Sequence, residues 1–396
     1  MGYVLRSLHN TYFPFFYIKL IAIISIFFAF LSCSFEGEPA NISNRRPIFI
    51  VIVAPFSGPM AEFGKSMLRG GKMRMAEGKG QNFLNGRPIK LMAFDDKGRA
   101  EEALRLARNI ADYESIFGVI GHLTTACTLS AIPVYNAAKL VLISPVATGD
   151  DLQDARSSYA FRTVLSESQQ AMFLADYIQQ KIDTKEIVLI WEDSLLGNRL
   201  KQAFFLRSEK IGITVQAIGV ESDPFPDLNE AIQKAIEARS RAIFLAGGPR
   251  LAALIARKWP EKTERPLIFG IYRLISDEFM ELAGKQVEGV LAAHPCIRRS
   301  DFRKGAQIKS RYEKTFKHHM DWLAVQTFDA VDLLLWAVDK SKGDPVSIRN
   351  VLSKCKSRKS SFPGLAGPIY FNSSGLLARG INVAEYTGNG WKYRED

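Results

Sequence analysis

From Pro47 onward the sequence alternates between short apolar runs rich in Val and Ile and longer segments of helical periodicity. The runs are "IFIVIVAPF" (48–56), "PIKLMAFDD" (88–96), "FGVIG" (117–121) and "LVLISP" (140–145). A second series follows: "EIVLIWED" (186–193), "TVQAIGV" (214–220), "AIFLAGG" (242–248), "PLIFGIY" (266–272) and "EGVLAAHP" (288–295). Such unbroken apolarity fits strands buried on both faces of a parallel sheet. Between the runs, 99–114 places Ala103, Leu106, Ala107 and Ile110 on one stripe, and 168–181 and 228–240 behave alike. The most apolar periodic segment, 322–341, predicts a buried helix. Alternating strand and helix specify an α/β fold with right-handed crossovers. The two series divide near residue 163, which predicts two doubly wound lobes, and 396 residues supply material for both. The tail reads as strand, turn, strand and turn, with "NSSG" and "TGNG" as the turn signals.

Open sheets of this kind take ligands beyond the carboxyl ends of their strands. Three loops there combine glycines, hydroxyls and small side chains: "APFSGPMAEFGKS" (54–66), "VIGHLTTACTLSAIP" (119–133) and "SPVATGDDL" (144–152). That composition lets backbone N–H groups and helix dipoles approach an anion. The hydroxyls also have a purely structural use. Thr124 or Thr125 can cap the helix that runs to about Ala138, and Thr148 can cap the turn before Asp151. Asp95 and Asp96 form either a carboxylate pair or caps for "KGRAEEA". His122, with no evident partner, has a structural or ligand-contact role. His318 and His319 are solvated, and His294 sits at the end of the last second-lobe strand as a hinge residue. The chain carries no G-x-S-x-G elbow, no H-E-x-x-H, no Walker loop and no G-x-G-x-x-G, so neither an enzyme nor a cofactor is expected.

The formal charge of +11 raises nucleic acid or a membrane surface as partners. The basic residues are scattered, however, and no basic helix carries interleaved aromatics, so no nucleic-acid partner is expected. The N-terminus is more informative. Arg6 and Lys19 precede an apolar run from Leu20 to Leu31, which is about a dozen residues, the length of a secretory h-region. It ends in "AFLSC", which resembles a bacterial lipoprotein signal with Cys33 as the lipidated residue, although Phe30 stands where Leu is usual. Alternatively, 11–32 is an uncleaved anchor with a snorkelling Lys19. Both readings send the rest of the chain out of the cytoplasm, with 34–46 as a tether. Cys127, Cys296 and Cys355 suit no metal site by spacing, and a Cys296–Cys355 disulfide remains one option in an oxidising compartment.

Four segments, "APFSGPMAEFGKSMLRGGKM", "NGRPIKLMAFDDKGRAEEALRLARNIA", "GVIGHLTTACTLSAIPVYNAAKLVLISPVAT" and "YAFRTVLSESQQAMFLADYI", in this order, carry a family likeness. The chain after residue 45 resembles the type I periplasmic binding proteins, in particular the branched-chain amino-acid (Leu/Ile/Val) receptors of ABC transporters. The resemblance implies two Rossmann-like lobes joined by three crossing segments, here about 161–166, 293–298 and 367–371. The implied layout is 1–33 signal or anchor, 34–46 tether, 47–162 with 296–368 as the first lobe, and 163–295 with 369–396 as the second. It implies a monomer that traps a small carboxylate ligand by hinge closure and hands it to an ABC permease. A ligand-sensing lipoprotein of the same fold, signalling to a membrane or cell-wall partner, is the alternative.

The resemblance also implies a site. Thr125 and Thr148 match hydroxyls that hold the ligand carboxylate, with Leu123 and Thr124 beside them. The carbonyl of Val146 matches an acceptor for the ligand ammonium, and Phe63 an aromatic wall. In the second lobe Leu196, Gly248, Tyr272 and Arg273 occupy the corresponding positions. There the pattern departs from the receptors. Leu196 stands where an aromatic is usual, and Tyr272 stands where an acidic partner for the ammonium is usual. An ammonium buried without a counter-charge is costly. The expected ligand is therefore an acid whose second group meets Tyr272 by stacking or Arg273 by charge.

Overall fold

The computed structural model describes residues 46–78, 83–84, 87–153, 158–182, 184–294, 303–388 and 390–394. The N-terminal segment with Cys33 and the residue Cys296 lie outside these residues.

The first lobe holds a six-stranded sheet. Its strands are β1 (Ile48–Ala54), β2 (Phe83–Leu84), β3 (Arg87–Asp95), β4 (Ile116–Gly121), β5 (Leu142–Ser144) and β6 (Ala160–Arg162), in the order β2-β3-β1-β4-β5-β6. All neighbours are parallel except the β2–β3 hairpin. The second lobe holds a seven-stranded sheet. It comprises β7 (Glu186–Glu192), β8 (Thr214–Val220), β9 (Ala242–Ala246), β10 (Leu267–Gly270), β11 (Leu291–His294), β14 (Asn382–Thr387) and β15 (Gly390–Tyr393). Their order is β15-β14-β11-β10-β9-β7-β8, parallel up to an antiparallel edge formed by β14 and β15. A short pair, β12 (Phe362–Gly364) and β13 (Gly367–Ile369), stands apart. The expected α/β fold with two doubly wound lobes is therefore the fold observed.

The helices are α1 (Ala61–Glu77), α2 (Ala100–Ala111), α3 (Thr125–Ala137), α4 (Glu167–Ile182), α5 (Leu195–Ile211), α6 (Leu228–Glu237), α7 (Pro249–Lys258), α8 (Asp277–Ala283), α9 (Arg303–Phe316), α10 (Trp322–Lys340) and α11 (Pro345–Ser353). The stripe expected of α2 is its buried face: Ala103, Leu106, Ala107 and Ile110 are the residues it hides. The segment 322–341 is α10, which buries most of its length, capped by Asp321 accepting from the Ala324 N–H at 2.9 Å. α10 and α1 approach closely at Gly70, where an added Cβ would overlap the Ala324 carbonyl. Asp321 also accepts from Ser66 of α1 at 2.6 Å.

Three strands are shorter than their apolar runs. The run 242–248 stops at Ala246, and Gly248 becomes the N-cap of α7. The run 266–272 stops at Gly270, which leaves Tyr272 in a 3-10 turn (Tyr272–Leu274) beyond the strand. The run 288–295 starts only at Leu291, because Gly289 has φ +79° and Val290 closes a turn onto Val287. In each case a glycine or turn intervenes that hydrophobic count alone does not weigh.

β6 leads directly into the first passage between lobes. The last passage falls later than 367–371, since the backbone of 375–376 still pairs beside β6. Arg162 N–H donates to Gly375 O at 2.9 Å, and Arg162 bridges in parallel to Leu376. The chain then reaches β14 of the second sheet at Asn382.

Candidate functional site

Two post-strand loops of the first lobe are tied together. Thr124 caps α3, its hydroxyl accepting from the Cys127 N–H at 3.2 Å. Thr125, the first residue of that helix, accepts at Oγ1 from the Gly149 N–H at 3.0 Å. Gly149 is needed there, since an added Cβ would lie 2.6 Å from Thr125 Oγ1. Thr125 thereby fixes the loop that carries Thr148. Thr148 itself is buried and faces the second lobe instead of capping a turn. Its Oγ1 lies 3.1 Å from the Tyr272 hydroxyl and 3.4 Å from Glu167 Oε1, to which it donates.

From the second lobe, the turn after β10 carries Tyr272 and Arg273. The Tyr272 N–H donates to Gln170 Oε1 at 3.1 Å, and its ring meets Trp322 edge-on at 5.5 Å between centroids. Burial holds the Tyr272 phenol above its ordinary pKa, so it is a hydroxyl donor throughout the physiological range. Arg273 reaches a carboxylate of the chain itself: its Nε and Nη2 donate to Glu167 Oε1 at 3.1 and 2.8 Å. Burial lowers the guanidinium pKa, but Tyr272 and Glu167 more than offset that, and the net shift is upward. Glu167 opens α4 and is only 5 % exposed, and its N–H donates to Thr148 O at 3.0 Å. A second contact closes the rim, where Arg199 of α5 grips Asp151 with Nη1 and Nη2 at 2.9 and 2.5 Å.

The other expected site residues sit differently. Val146 is buried in the core cluster, and Leu123 and Leu196 pack against the same cluster. Phe63 lies on α1 and is 52 % exposed. The Gly248 N–H donates to Glu192 Oε2 at 3.0 Å, so a carboxylate of the chain already occupies the N-terminus of α7. Asp95 accepts from the N–H groups of Phe56 and Lys97, both at 2.8 Å, and from the Ser57 hydroxyl at 2.6 Å. Burial opposes ionisation of Asp95, but these hydrogen bonds prevail and hold its pKa below the ordinary value. Asp96 is buried against His122 Nδ1 at 2.7 Å and also accepts from the Gly98 N–H. The paired aspartates thus brace loops separately and share no site.

Sequence reasoning missed Glu167, Trp322, Asp151 and Arg199. An acidic residue opening a helix reads as a dipole complement, which conceals Glu167. Trp322 reads as part of an apolar helix, and Arg199 as one basic residue among many.

The model of the family described as periplasmic binding protein matches residues 47–390. The chain belongs to that family. As a periplasmic binding protein it binds solute and is not an enzyme. The Leu/Ile/Val-binding protein homolog 3 of Brucella melitensis biotype 1 is 25 % identical over 244 residues, which span 62 % of this chain and 66 % of that protein. Among solved structures, the ABC transporter substrate-binding protein from Desulfitobacterium hafniense in complex with Leu superposes with a TM-score of 0.73 at 22 % identity, covering 88 % of this chain and all of that one. A solute-binding protein of an ABC transporter from Rhodopseudomonas palustris BisB5, in complex with 3,4-dihydroxybenzoic acid, gives 0.67 at 20 % identity over 88 % of this chain and 95 % of that one. These likenesses identify the fold.

Proposed function

We propose that this periplasmic binding protein captures a small carboxylate-bearing ligand, an amino acid or an amino-acid-like acid, between its lobes and delivers it to an ABC permease. The observation that supports this best is the Thr148–Tyr272 contact at 3.1 Å, two hydroxyls from opposite lobes. Both can turn their O–H toward one carboxylate, and doing so requires the lobes to close. Trp322 and the Tyr272 ring supply an apolar wall beside them.

Charge decides which acid is favoured. Glu167 Oε1 lies 3.4 Å from Thr148 Oγ1, but Arg273 already neutralises it. An α-ammonium would have to displace that guanidinium, whereas an acid without an amine leaves the pair intact. The Rhodopseudomonas neighbour with 3,4-dihydroxybenzoic acid and the Desulfitobacterium neighbour with Leu illustrate the two classes. An amine-free or amine-masked acid is the better fit here.

The experiment is mass spectrometry of ligand recovered from the purified protein, followed by calorimetric titration of leucine and 3,4-dihydroxybenzoate. A carboxylate ligand weakened by Thr148→Ala supports the reading. Affinity unchanged in that variant defeats it. Outside the described residues, Cys33 in "AFLSC" supports a lipid anchor on the outer face of a membrane, and a monomer suffices for a two-lobed trap.

A further inference from the structure

The end of the first lobe opposite the cleft carries a run of cations without counter-charge. Strands β1, β3, β4, β5 and β6 are parallel, so their amino ends share one end of the lobe, and the cleft loops lie at the other. Two contacts bring α11 to the amino ends. A Cβ added at Gly343, just ahead of α11, would meet the side chains of Leu84 and Phe117. Arg349 of α11 donates through Nε to Ser158 O at 3.0 Å, two residues before β6. The chain enters the lobe at this same end. Arg46 stands two residues before β1, and its carbonyl accepts from Arg87 Nε at 2.9 Å. Three strand spacings, about 15 Å, separate β1 from β6.

From Pro345 to Ala384 the sequence has no Asp or Glu, while Arg349, Lys354, Lys356, Arg358 and Lys359 fall within 11 residues. The last four are exposed. Elsewhere on the surface basic residues meet carboxylates, as Arg105 meets Glu102, Lys234 meets Glu230 and Arg311 meets Glu77. Among the described residues no carboxylate lies within ion-pair distance of these five. Asp344, the nearest acid in sequence, is engaged as the N-cap of α11, accepting from the Ser347 N–H at 2.6 Å. The loop that carries the cations is fixed. Cys355 is buried, and its carbonyl accepts from the Phe371 N–H at 2.7 Å. The N–H groups of Lys356 and Ser357 both donate to Ser360 Oγ at 3.1 Å. Arg349 and Lys356 also line a pocket of about 250 Å³ together with Ser158, Ser353, Ser373 and Ser374. Like charges held on a fixed loop repel one another, and a surface of opposite charge relieves that repulsion.

We propose that this basic face docks on the anionic phospholipid surface of the membrane that anchors the chain. The partner follows from where the chain enters the lobe. Cys33 and Arg46 are 13 positions apart, a reach of at most about 45 Å, so an anchor at Cys33 tethers the lobe by its basic end. Each cation close to anionic lipid adds about fivefold to membrane affinity, within a Debye length of the headgroups. The proposal rests on the anchor reading, and it leaves the cleft, at the opposite end of the lobe, open to solvent.

The test uses the full chain on vesicles of phosphatidylcholine alone or with phosphatidylglycerol added. Acylation of lysine amines is followed by mass spectrometry. Labelling of Lys354, Lys356 and Lys359 is expected to slow about fivefold on the anionic vesicles only. It should recover in about 1 M salt, where the Debye length falls to about 3 Å. Lys262, exposed on the second lobe, should label alike on both. Arg358→Glu combined with Lys359→Glu changes two exposed side chains and is expected to remove most of the protection of Lys356. Should that variant not fold, the comparison of the two vesicles decides. Protection that survives high salt, or that extends equally to Lys262, overturns the docking face. Equal labelling on the two vesicles also overturns it and leaves the cations to an acidic protein or a soluble anion. Failure of the anchor reading shows separately, as a chain that does not float with phosphatidylcholine vesicles, and lysine protection on the anionic vesicles then still judges the face.

Discussion

The hydroxyl of Tyr272, in the second lobe, stands 3.1 Å from that of Thr148, in the first. Each is fixed from behind: Tyr272 by Gln170 at its backbone N–H, and Thr148 by the loop that Thr125 holds through Gly149. Two hydroxyls at a closing interface can offer a carboxylate two donors once Thr148 turns its O–H from Glu167.

Removing either hydroxyl should weaken a carboxylate ligand. Thr148→Ala and Tyr272→Phe are each expected to cost about 1–3 kcal/mol, the range for hydrogen bonds to a charged group. Calorimetry on the two variants measures it, and the double variant should lose less than the sum if both donors meet the same carboxylate.

The Glu167–Arg273 pair should govern selectivity. Arg273→Gln leaves Glu167 buried without its cation, and Arg273 is itself substantially exposed, so a stability loss of about 1–2 kcal/mol is expected in chemical denaturation. The same change frees a carboxylate for an ammonium. Leucine should gain affinity relative to 3,4-dihydroxybenzoate in this variant, and an unchanged ratio would separate the pair from ligand choice.

Asp151 and Arg199 should hold the closed arrangement in a manner sensitive to acid and salt. Hydrogen bonding and charge from Arg199 depress the Asp151 pKa in the folded protein. Its contribution is therefore complete above the unfolded value of about 3.9 and is lost as pH falls through the lower folded value. Both side chains are partly solvated, so the pair is worth only about 0.2–1 kcal/mol, less in high salt. Small-angle scattering should show Asp151→Asn slightly more open at neutral pH and without the acid-dependent opening of the parent.

Gly149→Ala should be destabilising because of Thr125. The new Cβ would fall 2.6 Å from Thr125 Oγ1, an overlap expected to cost about 1–3 kcal/mol. Adding Thr125→Ala should recover part of that loss in thermal denaturation, while ligand affinity stays low because the Thr148 loop has lost its tie.

At the N-terminus, Cys33→Ser should release the protein from membranes. Fractionation that still finds it integrally associated would favour the uncleaved anchor over 11–32.

The fold was legible because burial on both faces writes each parallel strand as an apolar run, and α2 shows its buried stripe outright. Its limits were less so: glycines at 248, 270 and 289 end or delay strands that hydrophobicity would extend. The first-lobe loops were legible as hydroxyl clusters. Their division of labour was not, because Thr124 caps, Thr125 ties and Thr148 crosses the cleft, all with the same side chain. Glu167 was illegible for another reason. Its meaning depends on Arg273, more than a hundred positions away, and no local spacing records that pairing.

Helix α4 touches both sides of the cleft within its first turn. The Glu167 N–H holds the Thr148 carbonyl, and the Gln170 side chain holds the Tyr272 backbone. Because α4 begins just beyond the first passage between lobes, ligand choice at the proposed site would share the same few atoms with any closure of the lobes. A lineage drifting toward a new nutrient could not retune one without the other. Divergence in preference should therefore arrive together with altered opening and closing rates, and homologues with switched preference should carry paired changes at this helix start.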